Sequence, residues 1–410
     1  MSLPRANIAF PTRYRLGWGR RSELIAEVRT AGIGRALVVS DPGVAALPWF
    51  SELIASVANG GVPTAVFTGV SSNPTEVEVL AGVAAFADHR ADGVVAIGGG
   101  SAMDAAKAIA LLAGHSAGRA AADGGPAGYR TQKAAVAAFA AGDIAAFAVG
   151  GSRARAIRGD AVPPIIAVPT TAGTGSELSP GAVVTDPGAG VKRTLVHSAL
   201  LPRCVIADPE TTAALPPHLT AATGMDALTH ALEALCATGY HPMCDGIAVE
   251  TVRLIAEYLP RAVASGDAEA RTHMLMAAGM AAVAFQKGLG LVHAMAHPLG
   301  AVTGVHHGLA NAVLLPHVLD VNREAIADPC ARVAAVLGLA GPDPAAAVRA
   351  WVSALTARIG IPPVLPVPAT DALVERLTQL ALGETMYLAT NPRPIAASDI
   401  AGVYRRALGC

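Results

Sequence analysis

Up to about residue 207 the chain alternates two hydrophobic patterns. Short apolar runs rich in β-branched residues recur at residues 35–40, 64–67, 92–97, 164–168 and 204–207. Between them lie stretches with the 3.6-residue spacing of an amphipathic helix, one running through Val57 and another over 102–112. Strands alternating with helices predict a parallel sheet covered on both faces. Asn73-Pro74-Thr75-Glu76 predicts a helix start, with Asn73 as cap, Pro74 at the first helical position and Glu76 three residues after the cap. Residues 113–162 are dominated by Ala and Gly, and only a helix over 132–146 is legible there. After Asp208-Pro209 the helical period alone remains. The pattern therefore predicts an α/β domain over 1–205 and an all-helical domain over 206–410.

A chain of 410 residues can bury two cores without covalent staples. Hydrophobic residues make up 52% and charged ones 15%, with a net charge of −1, so nothing in bulk draws the chain to nucleic acid or to an anionic membrane. The five cysteines, Cys204, Cys236, Cys244, Cys330 and Cys410, are odd in number and form no CxxC pair, which fits reduced thiols in a cytoplasm. Residues 1–5 lack the apolar core of a signal peptide. The longest apolar candidate, 274–285, is too short to span a bilayer. The expectation is a cytoplasmic protein with no nucleic-acid or membrane partner.

Two loops in the first half carry chemistry. Gly98-Gly99-Gly100-Ser101 joins a strand to a helix, where glycines admit a phosphate close to the backbone and the helix N-terminus supplies free N–H groups. Pro169-Thr170-Thr171-Ala172-Gly173-Thr174-Gly175-Ser176-Glu177 is a second small-residue loop leaving a second strand. Two such loops at strand carboxyl ends point to a dinucleotide. Asp41, ending an early strand, suits the two hydroxyls of an adenosine ribose and repels a 2′-phosphate, which favours NAD over NADP; capping the helix that follows Pro42 is the alternative role.

The second half carries metal-binding chemistry. Asp226 and His230 are four apart, so a helix projects both from one face. His293 and His297 repeat that spacing, and His306-His307-Gly308 follows. One carboxylate and several imidazoles from different helices suit a divalent transition metal.

Taken together, Gly98 through Lys107, Pro169 through Glu177, Thr223 through His230, and Gly288 through Gly300 with His307-Gly308-Leu309-Ala310-Asn311 resemble the signatures of the iron-containing (group III) alcohol dehydrogenases. The resemblance runs from about residue 8 to Asn391-Pro392-Arg393-Pro394. It implies the dehydroquinate synthase-like fold of that family: an α/β dinucleotide-binding domain, an all-α metal-binding domain, and an active site in the cleft between them. It further implies Asp226, His230, His293 and His307 as metal ligands. The pyrophosphate loop maps onto Gly99, Gly100 and Ser101, with Asp104 close by. Other nucleotide contacts map onto Asp41, Asn73, Thr170, Thr171, Thr174 and Lys192. His297 matches a histidine near the nicotinamide and metal, suited to proton relay or to positioning the ring. The family forms homodimers or larger homo-oligomers. Two features depart from the pattern: the His306-His307 doublet, which leaves His306 a rival ligand, and the long 113–162 segment.

The implied activity is reversible, metal-dependent hydride transfer between NAD and a small primary alcohol or its aldehyde. Fe2+ is the preferred metal, and Zn2+ is the rival because it binds such ligands more tightly. Maleylacetate reductases and hydroxyacid–oxoacid transhydrogenases are the nearer alternatives. A dehydroquinate synthase-like lyase would need basic residues for a substrate phosphate, and 226–307 offers only Arg253, Arg261, Arg271 and Lys287 beside an apolar set of Phe285, Leu289, Leu291 and Met295. A non-catalytic sensor of NAD and metal is the remaining reading.

Overall fold

The computed structural model describes residue 10, residues 12–122 and residues 143–410. The helix expected over 132–146 therefore lies mostly outside the described residues, of which a short helix spans Asp143–Phe147. The chain divides into two compact units. One comprises Pro11–Thr171 with Ser176–Thr212, and the other Ala172–Gly175 with Ala213–Cys410.

The first unit is built on a six-stranded parallel sheet in the order β1-β8-β5-β4-β2-β3. Its strands are β1 (Arg13–Leu16), β2 (Ala36–Val39), β3 (Thr64–Phe67), β4 (Gly93–Gly98), β5 (Ile165–Pro169) and β8 (Cys204–Ala207). Val38 pairs with Val95 and Val95 with Ile166, so the β-branched residues of three strands stand side by side. Every residue of β2, β4, β5 and β8 is buried. A parallel sheet of that kind must be covered on both faces. On one face Val38, Val95, Ile97 and Ile166 pack with Leu24 and Val28 of α1 (Leu24–Thr30) and with Phe50, Leu53 and Val57 of α2 (Pro48–Asn59). Helices α3 (Glu76–His89) and α4 (Gly100–Ala122) also pack on the sheet, and close to each other: a Cβ on Gly82 would stand 2.2 Å from the Ile109 side chain.

Three details differ from the sequence reading. Helix α3 starts at Glu76 with Thr75 as its cap, not with Asn73. Thr75 Oγ1 accepts from the Glu78 amide and the Glu78 carboxylate accepts from the Thr75 amide, so a reciprocal pair satisfies two orphan donors two residues further on. Strand β1 and an antiparallel hairpin of β6 (Gly181–Asp186) and β7 (Val191–Val196) were not foreseen. Arg13 and Arg15 make β1 look like surface, but both guanidiniums pair with buried Glu27 of α1. Finally, a division at 205 would fall inside β8; this unit runs on to Thr212 because Asp208 accepts from the Gly19 and Arg21 amides.

The second unit is helical, with α5 (Pro217–Cys236), α6 (Pro242–Ala264), α7 (Ala268–Ala284), α8 (Leu291–Thr303) and α9 (His307–Asn322), followed by α10 (Ala327–Leu337), α11 (Pro344–Arg358), α12 (Asp371–Leu382) and α13 (Ala397–Leu408). Helix α5 is its axis: every residue from Thr220 to Leu235 is buried. Any polar side chain on that stretch needs a partner, because burying one without a hydrogen bond is costly. The Tyr404 hydroxyl donates to the Met295 carbonyl at 2.7 Å, tying α13 to α8. Among the described residues no single helix is long and apolar enough to cross a membrane.

Candidate functional site

In the helical unit the polar residues of α5 point at α8 and α9. Asp226, His293 and His307 each offer one atom, and the three atoms lie within 4.8 Å of one another. From Asp226 Oδ1 it is 3.9 Å to His293 Nε2 and 3.6 Å to His307 Nε2. The His230 ring stacks on His293 with centroids 4.5 Å apart. Its Nδ1, 3.9 Å from Asp226 Oδ1, is buried with no hydrogen-bond partner among the described residues. Burial pushes the His230 imidazole down to about 4, with Asp226 pulling the other way. A neutral imidazole is the form that ligates metal. His307 joins the group, and its neighbour His306 is the N-cap of α9 outside it.

Three polar residues without a predicted role complete this cluster. Asn311 donates through Nδ2 to Asp226 Oδ1 at 2.7 Å and lies 3.2 Å from His307 Nε2 and 3.4 Å from His293 Nε2. One partly positive N–H group thus faces three lone-pair donors, which marks the point where a cation would satisfy all of them. Glu233 Oε2 is 2.6 Å from His293 Nδ1. Glu384 Oε2 stands 4.0 Å from His297 Nδ1, with the Tyr387 ring 4.9 Å from the His297 ring. Glu233 was findable: with Asp226 and His230 it makes an i, i+4, i+7 polar stripe on an otherwise apolar helix. Glu384 had no local signal.

Of the four apolar residues expected beside the cluster, two lie near it and two are packed into the helical core. Phe285 lies 5.0 Å from the His230 ring, and Leu289 packs with Tyr387 and Ala294. Leu291 and Met295 are fully buried in the main helical core. The basic residues of the segment are engaged: Arg253 with Glu250 and Glu257, Arg261 with Asp267 and Glu269, Lys287 with Asp245, and Arg271 with the Gly266 carbonyl. A pocket bordered by Glu233, Cys236, Asn322 and Asn391 touches none of the four expected ligands.

In the α/β unit the residues at the carboxyl ends of β2, β4 and β5 converge. The chain reverses direction across the sheet between β2 and β4, where open α/β sheets bind their ligands. Gly98 has φ +155°, and a Cβ there would stand 2.6 Å from that of Ala102 and 3.2 Å from Asp41 Oδ2. A Cβ on Gly99 would stand 3.1 Å from Thr171 Cγ2. The Thr170 amide donates to the Gly98 carbonyl at 2.9 Å, and the Ser101 hydroxyl to the Ser72 carbonyl at 2.7 Å. Gly100 opens α4. Asp41, Gly99, Gly100, Ser101, Thr170 and Thr171 therefore gather at one helix N-terminus, where the amides that open α4 are a fit for a pyrophosphate. Asp41 also serves as a cap, accepting from the Val44 amide at 2.9 Å. The Asn73 carbonyl accepts from the Ser71 hydroxyl, and Thr174 falls in the 172–175 loop that groups with the helical unit.

Asp104 and Lys192 belong to a different cluster. Asp104 Oδ1 accepts from the Ser176 hydroxyl at 2.6 Å and Oδ2 from the Val183 amide at 3.0 Å. Burial raises its carboxyl above the ordinary range, against the pull of Lys107 and Lys192. The Nζ of buried Lys107 lies 2.5–3.0 Å from Ser176 Oγ and from the carbonyls of Ser176, Ser179 and Gly181, four acceptors that share its three N–H groups. Desolvation still lowers its ammonium to about 8. Glu177, also buried, is pushed up to about 7 by desolvation, and its Oε1 has no partner among the described residues.

Comparison with known proteins bears on both units. The family described as iron-containing alcohol dehydrogenase matches residues 11–209, and the C-terminal domain of the Fe-containing alcohol dehydrogenase family matches residues 220–408. The 4-hydroxybutyrate dehydrogenase of Cupriavidus necator is 38% identical over 98% of this chain and 99% of its own. The NAD-dependent methanol dehydrogenase of Bacillus methanolicus is 35% identical over 98% of this chain and 100% of its own. The crystal structure of a 1,3-propanediol oxidoreductase is similar, with a TM-score of 0.83 at 32% identity, covering 98% of this chain and 100% of that one.

Proposed function

The chain belongs to the iron-containing alcohol dehydrogenase family, and from that premise we propose that it interconverts small primary alcohols and their aldehydes, with NAD as hydride partner and a divalent metal, Fe2+ by preference, held by Asp226, His230, His293 and His307. When bound, the metal supplies Lewis acidity toward the alcohol oxygen and NAD+ accepts the hydride.

This chain's own residues do the rest. The carboxylate of Asp226 and three neutral imidazoles leave a divalent ion with net positive charge. Asn311 keeps Asp226 Oδ1 turned toward the histidines. Phe285 and Leu289 present apolar surface that suits a short carbon chain and excludes water. His297, four residues after His293 on α8, would take up the hydroxyl proton or steady the nicotinamide ring. In the α/β unit the amides at the start of α4 would hold the pyrophosphate, and Asp41 would accept from the ribose hydroxyls.

The observation that carries this reading is the convergence of Asp226, His293 and His307 from three helices onto one point. The relatives' names specify alcohols with a terminal hydroxyl and different tails, which supports a primary alcohol and leaves the tail open. The test is a screen of C1–C4 primary alcohols and diols with NAD+ on protein of defined metal content. Chelation is expected to abolish turnover while NAD still binds, and Fe2+ is expected to restore it. Full turnover by protein shown to be metal-free would sink the proposal.

A further inference from the structure

We infer that Glu233 is a positioning residue for the metal centre: it holds His293 as the Nδ1–H tautomer, so that Nε2 is the atom left to ligate. The inference rests on the metal reading proposed above. His293 lies on α8 and Glu233 on α5, both buried, with Oε2 2.6 Å from Nδ1. An ionised carboxylate only accepts hydrogen bonds, so the proton of that contact belongs to the imidazole. The other ring nitrogen then carries a lone pair aimed toward Asp226 Oδ1. A carboxylate behind a ligating histidine both sets its orientation and raises its basicity.

The second oxygen of the same side chain is equally committed. Glu233 Oε1 accepts from the Val292 amide at 2.6 Å, in the first turn of α8. Asn391 Oδ1 accepts from the neighbouring Leu291 amide at 3.1 Å. Gly290, just before the helix, leaves room for this, since a Cβ there would stand 3.0 Å from Glu233 Oε1. One bland reading is therefore that Glu233 merely caps α8, where a negative charge is favourable in any case.

Glutamine separates the two roles. In Glu233→Gln the amide oxygen stays on the Val292 N–H, because turning it away would leave that buried donor facing an NH2 group. The NH2 then faces His293 Nδ1 and demands an acceptor there. The imidazole must move its proton to Nε2, the atom that would otherwise ligate. A cap survives this substitution; a metal site does not.

Two measurements test this. Zinc affinity is titrated against a chromophoric chelator for wild type, Glu233→Gln and His293→Ala, with melting of each metal-free protein as a check on folding. Glu233→Gln is expected to bind zinc about 10–100-fold more weakly, with metal-free melting close to wild type. The tautomer is then read directly by long-range 1H–15N correlation on metal-free protein labelled with 15N-histidine, the His293 signals being assigned by their loss in His293→Ala. Wild type is expected to show Nδ1–H and the glutamine variant Nε2–H. Wild-type zinc affinity in Glu233→Gln, or Nε2–H in metal-free wild type, would overturn the inference; the second does not depend on Glu233→Gln folding. Undiminished zinc affinity in His293→Ala would instead overturn the metal reading itself.

Discussion

His307 Nε2 lies 3.6 Å from Asp226 Oδ1, the one on α9 and the other on α5. The adjacent histidine, His306, stands outside this group as the N-cap of α9. A doublet in the sequence is thus split into a site residue and a helix terminus.

His307→Ala is expected to lose bound metal and turnover together, by at least about 100-fold in metal affinity. His306→Ala is expected to keep its metal stoichiometry. Elemental analysis of the two purified variants checks this, and loss of metal in the His306 variant alone would exchange the assignments.

Asp41 does two jobs that one substitution can separate. Asparagine caps a helix about as well as aspartate, so Asp41→Asn keeps the bond to the Val44 amide and loses only the charge. Melting should be unchanged, while the ratio of kcat/KM for NADP over NAD should rise about 10-fold. An unchanged ratio would mean the carboxylate does not discriminate between the cofactors.

Lys107 holds three carbonyls and a hydroxyl of the loop between β5 and β6, with Asp104 close by. Lys107→Met strands those acceptors and leaves Asp104 with the pull of Lys192 alone. Removing one partner of a buried pair costs about 3–5 kcal/mol. A melting temperature lower by several degrees is expected, and wild-type melting would show that the loop holds without the lysine.

Glu177 should make stability depend on pH. Its carboxyl ionises near 4.5 in the unfolded chain and is raised by burial to about 7 in the folded one. The folded state therefore holds a proton that the unfolded state has lost. The resulting stability is complete below about 4.5 and is lost as pH rises to about 7, by roughly 3 kcal/mol at most. His230 and His115, lowered by burial, act in the opposite sense as the pH falls. Subtracting the melting curve of Glu177→Gln isolates the carboxyl: the advantage of wild type over the variant should shrink between pH 4.5 and 7. Parallel curves would show that Glu177 ionises normally.

The parts of the fold that the sequence carried were those set by local periodicity. Strands β2, β3, β4, β5 and β8 are short apolar runs, and α5 is an apolar helix broken by Asp226, His230 and Glu233. The β6–β7 hairpin was illegible, since Lys192, Arg193 and Thr194 interrupt the apolar pattern of a pair of strands whose Ala182, Val184 and Leu195 are nonetheless buried. The cap of α3 was misplaced because two overlapping patterns, at Asn73 and Thr75, both obey the capping rules and only the hydrogen bonds choose.

By itself the sequence determined which residue types recur at helical and strand spacing, and hence the sheet and the helical half, while the four expected ligands came from its resemblance to a family. Tertiary structure alone decided what each polar group faces: that His307 and not His306 meets Asp226, that Asp104 bonds Ser176 and the Val183 amide, and that Glu233 stands behind His293. The reason is physical. Periodicity places a side chain on a face of its own element, while the partner that satisfies a buried donor or acceptor comes from another element, far along the chain.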